Sequence, residues 1–268
     1  MITPADIRFE ATCAAGVPVI RARQAAGRSA RAEVVFTTRK GGVSVGPYAS
    51  LNVSPHVGDD REAVVENRRR AARAVGAGRE RLVSLLQVHG NRVVEFPEAA
   101  AGRGSTEADG VILRSPRDAG AAAALLSADC VPVVLVGQEV FAILHGGWRG
   151  LLAGVLQEGV RALGAQVQEA FVGPSIGPCC YEVGPELVQA FAGRFGPEVV
   201  RTDSRVDLWE AAALALAEAG VDRARVANGR LCTKCSADVF YSHRREGPHT
   251  GRQGALVCVH QEAGGAVD

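Results

Sequence analysis

AAAALLSADCVPVVLVGQEVFAILHGGWRGLLAGVLQEGVRALG, residues 121–164, is the stretch that decides the fold. Its apolar runs at 121–127, 131–136 and 140–144 are too short for typical helices and 131–136 is rich in valine, so they read as strands of a central buried sheet. Beyond His145, Gly146 and Gly147, the residues Leu151, Leu152, Val155, Leu156, Val160 and Leu163 recur at helical spacing until Gly164 supplies a stop. His145 thus stands where a strand enters a helix.

Working outward, residues 33–38 are β-branched and apolar and run into the turn-forming Arg39-Lys40-Gly41-Gly42. Asp59 is expected to cap a helix, with Glu62 as its capping-box partner, continuing through Ala63, Val64, Ala71, Ala72 and Val75 to Gly76. Arg68, Arg69 and Arg70 then fall mostly on its solvated face. Further strands are expected at 82–88, 111–113, 169–172 and 254–260, with helices at 185–195 and 208–219. The predicted class is mixed α/β of the α+β type: one layered domain over residues 1–268, central mixed β-structure flanked by helices, and residues 1–32 as an N-terminal extension or edge element.

Composition narrows the function classes. With 268 residues, 47% hydrophobic and 22% charged, whole-chain disorder is excluded. Thirty basic against 29 acidic residues leave a net charge of +1, so no global field recruits nucleic acid or an anionic membrane. Only Lys40 and Lys234 are lysines, a bias that points to coding composition more than to selected basic surface. The apolar, charge-free stretch 119–128, which ends at Asp129, falls short of the roughly 20 apolar residues that span a bilayer. Asp6 and Glu10 flank Arg8 without a basic-then-apolar leader, so a cytoplasmic location is expected. Seven cysteines, an odd number without framework spacing, favour metal binding or catalysis over disulfides.

Reactive side chains concentrate at strand ends and beside glycines, in Gln87-Val-His89-Gly90, Ala128-Asp129-Cys130, His145-Gly-Gly-Trp148-Arg149-Gly150 and Ser242-His243-Arg244-Arg245. His89, Cys130 and His145 would give Zn²⁺ two imidazoles, one thiolate and an open fourth position, the arrangement of a catalytic site. Their separations match no local finger or zincin, and a strand-end histidine or a lone cysteine is commonly structural, so spacing alone does not establish a metal. Cys232-Thr-Lys-Cys235 is a lone CxxC with no second pair in sequence, and the adjacent Cys179 and Cys180 are poorly placed to bond each other. Neither is expected to form a site. The segment from Gly173 to Pro178 lacks the ending of a phosphate-binding P-loop and is pocket wall at most, while His243 and His249 flank arginines and could be pocket residues, although exposed histidines in polar loops are more common.

Eight blocks in chain order carry a family resemblance: Phe36-Thr-Thr-Arg39-Lys-Gly41-Gly42-Val-Ser44, Ser50-Leu-Asn52-Val, Asn67-Arg68, Gln87-Val-His89-Gly90, Ala128-Asp-Cys130-Val-Pro132, His145-Gly-Gly-Trp148-Arg149-Gly150, Gly173-Pro-Ser-Ile-Gly177, and Ser242-His-Arg-Arg245 with Thr250-Gly-Arg252. Together they closely resemble the laccase-domain family, also called multicopper polyphenol oxidoreductases, whose bacterial members are named purine nucleoside phosphorylases or peptidoglycan editing factors. The resemblance implies a compact layered α/β fold and a zinc site at His89, Cys130 and His145. Gly146 departs from the alanine common there, a change that removes no chemistry.

The resemblance further implies phosphorolysis of adenosine, inosine, guanosine or methylthioadenosine, and deamination of adenosine, with purine nucleoside and phosphate as partners. Arginine suits phosphate through its planar fork of donors. Arg39 and Arg244 are the first choices, Arg149 and Arg245 further candidates, and Asn52 is carried over with its block. Asp129 would orient a ligand or shuttle protons, with orientation preferred. Two other readings compete. Cys130 could serve as nucleophile of a thiol hydrolase in peptidoglycan-precursor editing, with His89 or His145 as base. Copper oxidation of phenols is disfavoured, because six histidines are fewer than a multicopper oxidase needs for its type 1 and trinuclear centres.

Overall fold

Every residue of the runs at 131–136 and 140–146 is buried, so both faces of these strands need a covering layer. The computed structural model, which describes residues 9–24, 32–78, 82–164, 167–202 and 204–260, supplies those layers as two six-stranded mixed sheets packed face to face with helices outside. The first sheet runs, in spatial order, β1 (Phe9–Ala14), β2 (Val17–Ala22), β3 (Ala32–Thr37), β14 (Gln253–Val259), β7 (Ala122–Ser127) and β4 (Leu82–Ser84). The second runs β13 (Val226–Asn228), β10 (Glu169–Val172), β8 (Val131–Val136), β9 (Val140–Gly146), β6 (Gly110–Arg114) and β5 (Val93–Glu95). Only the β7/β4, β13/β10 and β6/β5 pairs are parallel. A small antiparallel pair, β11 (Val200–Thr202) and β12 (Arg205–Val206), lies apart.

Residue alternation sorts the core into three layers. Val34, Phe36, Leu125 and Val257 of the first sheet meet Val111, Val134, Phe141, Ile143 and Phe171 of the second between the sheets. Burying each such side chain is worth about 1.5–3 kcal/mol. The outer face of the second sheet, including Val131, Val133 and Leu144, is covered by α3 (Trp148–Ala153), α4 (Val155–Leu163), α5 (Pro185–Phe195) and α6 (Leu208–Glu218). The outer face of the first is covered by α1 (Arg61–Ala74) with Leu51 and Val53. The short α2 (Phe96–Ala101) and α7 (His243–Glu246) complete the described helices.

The sequence reading needs correction in four places. The helical pattern at 151–163 is two helices, because Gly154 adopts φ +86° between α3 and α4 while the apolar periodicity carries on across the break. The cap of α1 is Asp60, whose carboxylate accepts from the Ala63 amide. Asp59 is drawn away to Ser44 and Asn52. Arg68 does not lie on a solvated face: it reaches inward to the Val53 carbonyl and Ser84, whereas Arg69 and Arg70 pair with Glu66. The run at 82–88 is a three-residue strand followed by a loop.

Chain order places the site. β7 belongs to the first sheet and β8 to the second, so residues 128–130 cross between them at one end of the sandwich. Where β10 leaves the second sheet, the Gly173 amide donates to the Pro132 carbonyl while the buried Phe36 ring lies over the glycine. A Cβ at Gly173 would stand 2.2 Å from Phe36 Cε1. Gly173→Ala is therefore expected to destabilise the fold by about 1–3 kcal/mol through overpacking, read as a lower urea midpoint with unchanged slope.

Candidate metal centre and its pocket

Three chain segments converge at that end of the sandwich. His89 lies in the loop after β4, Cys130 on the crossing from β7 to β8, and His145 near the end of β9, where it pairs with Pro132. Their ligand atoms all lie within 4.8 Å of one another, with Cys130 Sγ 3.8 Å from His89 Nε2 and the two imidazole rings edge to face at 4.9 Å. The juxtaposition uses the junction of two sheets rather than the edge of one. Gln87 ties the His89 loop to the first sheet by acting as a strand partner: its side-chain amide donates to the Leu126 carbonyl and its Oε1 accepts from the Leu126 amide. Gly147 lets α3 begin against the cluster, since a Cβ there would meet His89 Cδ2 at 2.6 Å.

Asp109, at the mouth of β6, organises the histidines. Its fully buried carboxylate accepts from the amides of Val88, His89 and Gly90 and, at 2.8 Å, from His145 Nδ1. His89 is held at φ +60° by this cradle. With Nδ1 committed to Asp109, His145 presents Nε2 toward Cys130. Burial would raise the Asp109 pKa, but His145 and the Gly90 and His89 amides outweigh it and lower it. Burial likewise opposes charge on Cys130 and His145, yet they stabilise each other: the thiol is drawn down to about 6 by His145 and His89, and the imidazole up to about 9 by Cys130 and Asp109. Sequence reasoning missed Asp109; its only signal was an acid one glycine ahead of the apolar run at 111–113.

Two imidazole nitrogens and a readily formed thiolate suit a metal ion of Zn²⁺ type, and binding would expel the imidazole proton. The donor set fits that ion. All six histidines lie among the described residues, and only His89 and His145 share a metal-ligand cluster there, too few for a trinuclear copper centre.

The cluster opens into a cavity of about 800 Å³. Of the residues expected from sequence, His89, Asp129, Cys130, His145, Arg149 and Arg244 line it. Asp129, at φ +101°, accepts from Thr233 Oγ1 and from the Arg244 amide, so its carboxylate ties loops together. Arg244 lies over the Tyr181 ring and donates to the Glu182 carbonyl; Arg149 lies over Trp148. Arg39, Asn52 and Arg245 do not line the cavity, because their polar groups are spent on loops. Arg39 binds Glu246 and two carbonyls and lies over Tyr241. Arg245 donates to the carbonyls of Thr233, Lys234 and Phe240. Buried Asn52 joins Asp59 to the Arg252 amide. Conversely Arg252, Tyr181 and His56 line the cavity without having been expected to, and His243 takes the pocket position that was its less favoured alternative. Arg252 was legible in its block, but in a chain with 30 basic residues nothing singled it out.

Comparison with known proteins places this geometry. The sequence profile described as Multi-copper polyphenol oxidoreductase laccase matches residues 33–260. The chain is 37% identical over 246 residues to purine nucleoside phosphorylase YlmD of Geobacillus stearothermophilus, covering 85% of this chain and 90% of that one. It is 37% identical over 233 residues to purine nucleoside phosphorylase YfiH of Shigella flexneri, covering 83% and 92%. The crystal structure of YlmD from Geobacillus stearothermophilus superimposes with a TM-score of 0.84 at 32% identity, covering 95% of this chain and 99% of that one.

Asp109→Asn keeps the side chain's shape but offers the Val88–Gly90 cradle an NH₂ group where it needs an acceptor. Zn²⁺ affinity, measured by competition with a chromophoric chelator, is expected to fall about 10–100-fold, with far-UV circular dichroism unchanged.

Proposed function

The chain belongs to the multi-copper polyphenol oxidoreductase laccase family, and we propose that it is a purine nucleoside phosphorylase holding zinc at His89, Cys130 and His145, with adenosine deaminase activity in the same cavity. One observation carries the reading: three arginines, Arg149, Arg244 and Arg252, line the same cavity as the His/Cys/His cluster. Relatives named purine nucleoside phosphorylase support it.

In phosphorolysis a phosphate oxygen bonds to ribose C1′ as the C1′–N9 bond breaks, and the bonding pair leaves with the purine, which is protonated on release. The chain must therefore hold a dianion against C1′ and stabilise charge on the departing base. Guanidinium forks meet the first need. Cation–π contacts of Arg244 with Tyr181 and of Arg149 with Trp148 help to position two of them. Leu86, Ile176, Leu187 and Leu208 give the same cavity an apolar wall for a base, within the range of about 300–1,000 Å³ usual for small-molecule sites. A bound Zn²⁺ would supply Lewis acidity at an open coordination position. Asp129 orients: it holds the Arg244 backbone against the strand crossing that carries Cys130.

A second reading, a thiol hydrolase with Cys130 as nucleophile, is favoured by the 3.8 Å contact of its sulfur with His89 Nε2 and by the Asp109–His145 pair beside it. Phosphate-dependent release of free base from a nucleoside panel, with and without chelator, separates the two. Full activity of metal-free protein, or base release indifferent to phosphate, would overturn the phosphorylase reading. Among the described residues no helix is long and apolar enough to cross a membrane. We assign the enzyme to the cytoplasm as one catalytic domain over residues 1–268.

The two chemistries should respond differently to Arg244. Deamination adds water at purine C6 and releases ammonia without a dianion to hold, so Arg244→Ala is expected to depress inosine phosphorolysis by on the order of 10²-fold more than adenosine deamination. Both rates are measured at saturating nucleoside across a phosphate series. Equal losses at every phosphate concentration would assign Arg244 to holding the nucleoside or the Tyr181 loop instead.

A further inference from the structure

Four of the seven cysteines meet behind the pocket wall. Cys179 and Cys180, in the turn between β10 and α5, face Cys232 and Cys235, in the loop between β13 and α7, and the four sulfurs all lie within 4.8 Å of one another. Cys235 Sγ is 3.5 Å from Cys179 Sγ and 3.4 Å from Cys180 Sγ. We propose that these four cysteines form a second, structural metal site that binds Zn²⁺ as a tetrathiolate.

Geometry is the first support. A tetrahedral Zn²⁺ with four sulfurs at about 2.3 Å sets the sulfurs roughly 3.8 Å apart, close to the spacings the fold provides. The surroundings are the second. The Gly177 amide donates to Cys232 Sγ at 3.2 Å, and the Cys235 amide also faces that sulfur, the pattern that orients a thiolate for a metal. Gly177 has no room for a side chain, since a Cβ would lie 2.7 Å from the Trp209 ring and 3.3 Å from Cys179 Sγ. Four soft donors and no imidazole or carboxylate select Zn²⁺ over harder cations. No coordination position remains for a substrate, so the role is structural.

The site extends a contact that the two segments begin with the β10/β13 pairing and continue through the bridge between Ser175 and Cys232. Each of them continues into the pocket. Cys180 precedes Tyr181, over whose ring Arg244 lies, and Cys232 precedes Thr233, which holds Asp129. A metal here would brace the wall against which Arg244 is positioned, through a cross-link between residues more than 50 positions apart in the chain.

The test uses the full chain with the first cluster disabled by Cys130→Ala, so that its outcome does not depend on the proposed activity. Cys130→Ala protein purified under reducing conditions is expected to retain about one zinc per chain by elemental analysis. Exchanged with Co²⁺, it should show the intense visible ligand-field bands and near-ultraviolet charge transfer of a cobalt tetrathiolate. Adding Cys179→Ser and Cys235→Ser should abolish both. Because the cobalt signature is read on protein with all four cysteines intact, misfolding of the triple variant would not rescue or sink the inference. Zinc-free Cys130→Ala protein with no cobalt signature, iron in place of zinc, or the loss of two titratable thiols to a disulfide would each overturn it.

Discussion

A single buried carboxylate holds the candidate site together. Asp109 is fully shielded from water, and burying a charge is tolerable only where hydrogen bonds replace its hydration. Three successive amides and one imidazole do so. The same bonds put His89 in a left-handed conformation and select the ring nitrogen that His145 turns toward Cys130. Breaking such a buried pair typically costs about 3–5 kcal/mol, because the remaining charge is stranded. Protein stability and metal-site geometry therefore share one interaction, and neither can be relaxed without the other.

This dependence explains what could be read from sequence and what could not. Strands β7, β8 and β9 announce themselves because each is buried on both faces, so their runs are uninterrupted and the reactive residues at their ends stand out. Edge strand β1 and its neighbour β2 carry partly exposed residues and lack that signature. Gly154 divides a helix without disturbing its apolar spacing, since a left-handed residue reverses the backbone and leaves the flanking pattern in place. Asp109 acts on backbone amides some 20 positions away, and no residue type at the receiving end records the contact. The four clustered thiols are equally invisible, because pairing across more than 50 residues follows from the β10 and β13 register rather than from a local motif.

Arginines illustrate a different limit. Residue type tells that a guanidinium needs acceptors but not whether loop carbonyls or a ligand supply them. Arg39 and Arg245 each satisfy two or more carbonyls and share Glu246, so their forks are occupied by the chain itself. Arg149 and Arg244 lie over aromatic faces and border the cavity. Arg252 bonds two loop carbonyls as well and still lines the cavity, and Arg244 bonds one, so placement and hydrogen-bond accounting decide together, which only the assembled loops can settle. The copper in the family's descriptive name meets a similar test: a chain whose metal-ligand clusters contain two imidazoles among the described residues has the donors for one ion at that site, and multicopper oxidation needs more.

Asp129 shows how the last block of the chain, which lends His243, Arg244 and Arg252 to the cavity, is tied to the strand crossing. At φ +101°, a non-glycine residue is held in a conformation that L side chains rarely adopt, at a cost of order 1–3 kcal/mol. Two hydrogen bonds offset it, from Thr233 and from the Arg244 amide, while the Asp129 carbonyl accepts from Ile176. The strained residue thereby sets the direction in which Cys130 leaves the crossing between sheets. Thr233 follows Cys232 directly, so a continuous path of covalent and hydrogen bonds runs from the four-cysteine cluster through Thr233 and Asp129 to Cys130. The position of a thiolate within reach of two histidines is thus tied to the C-terminal loops through Asp129, and the clustered cysteines lie at the far end of that path.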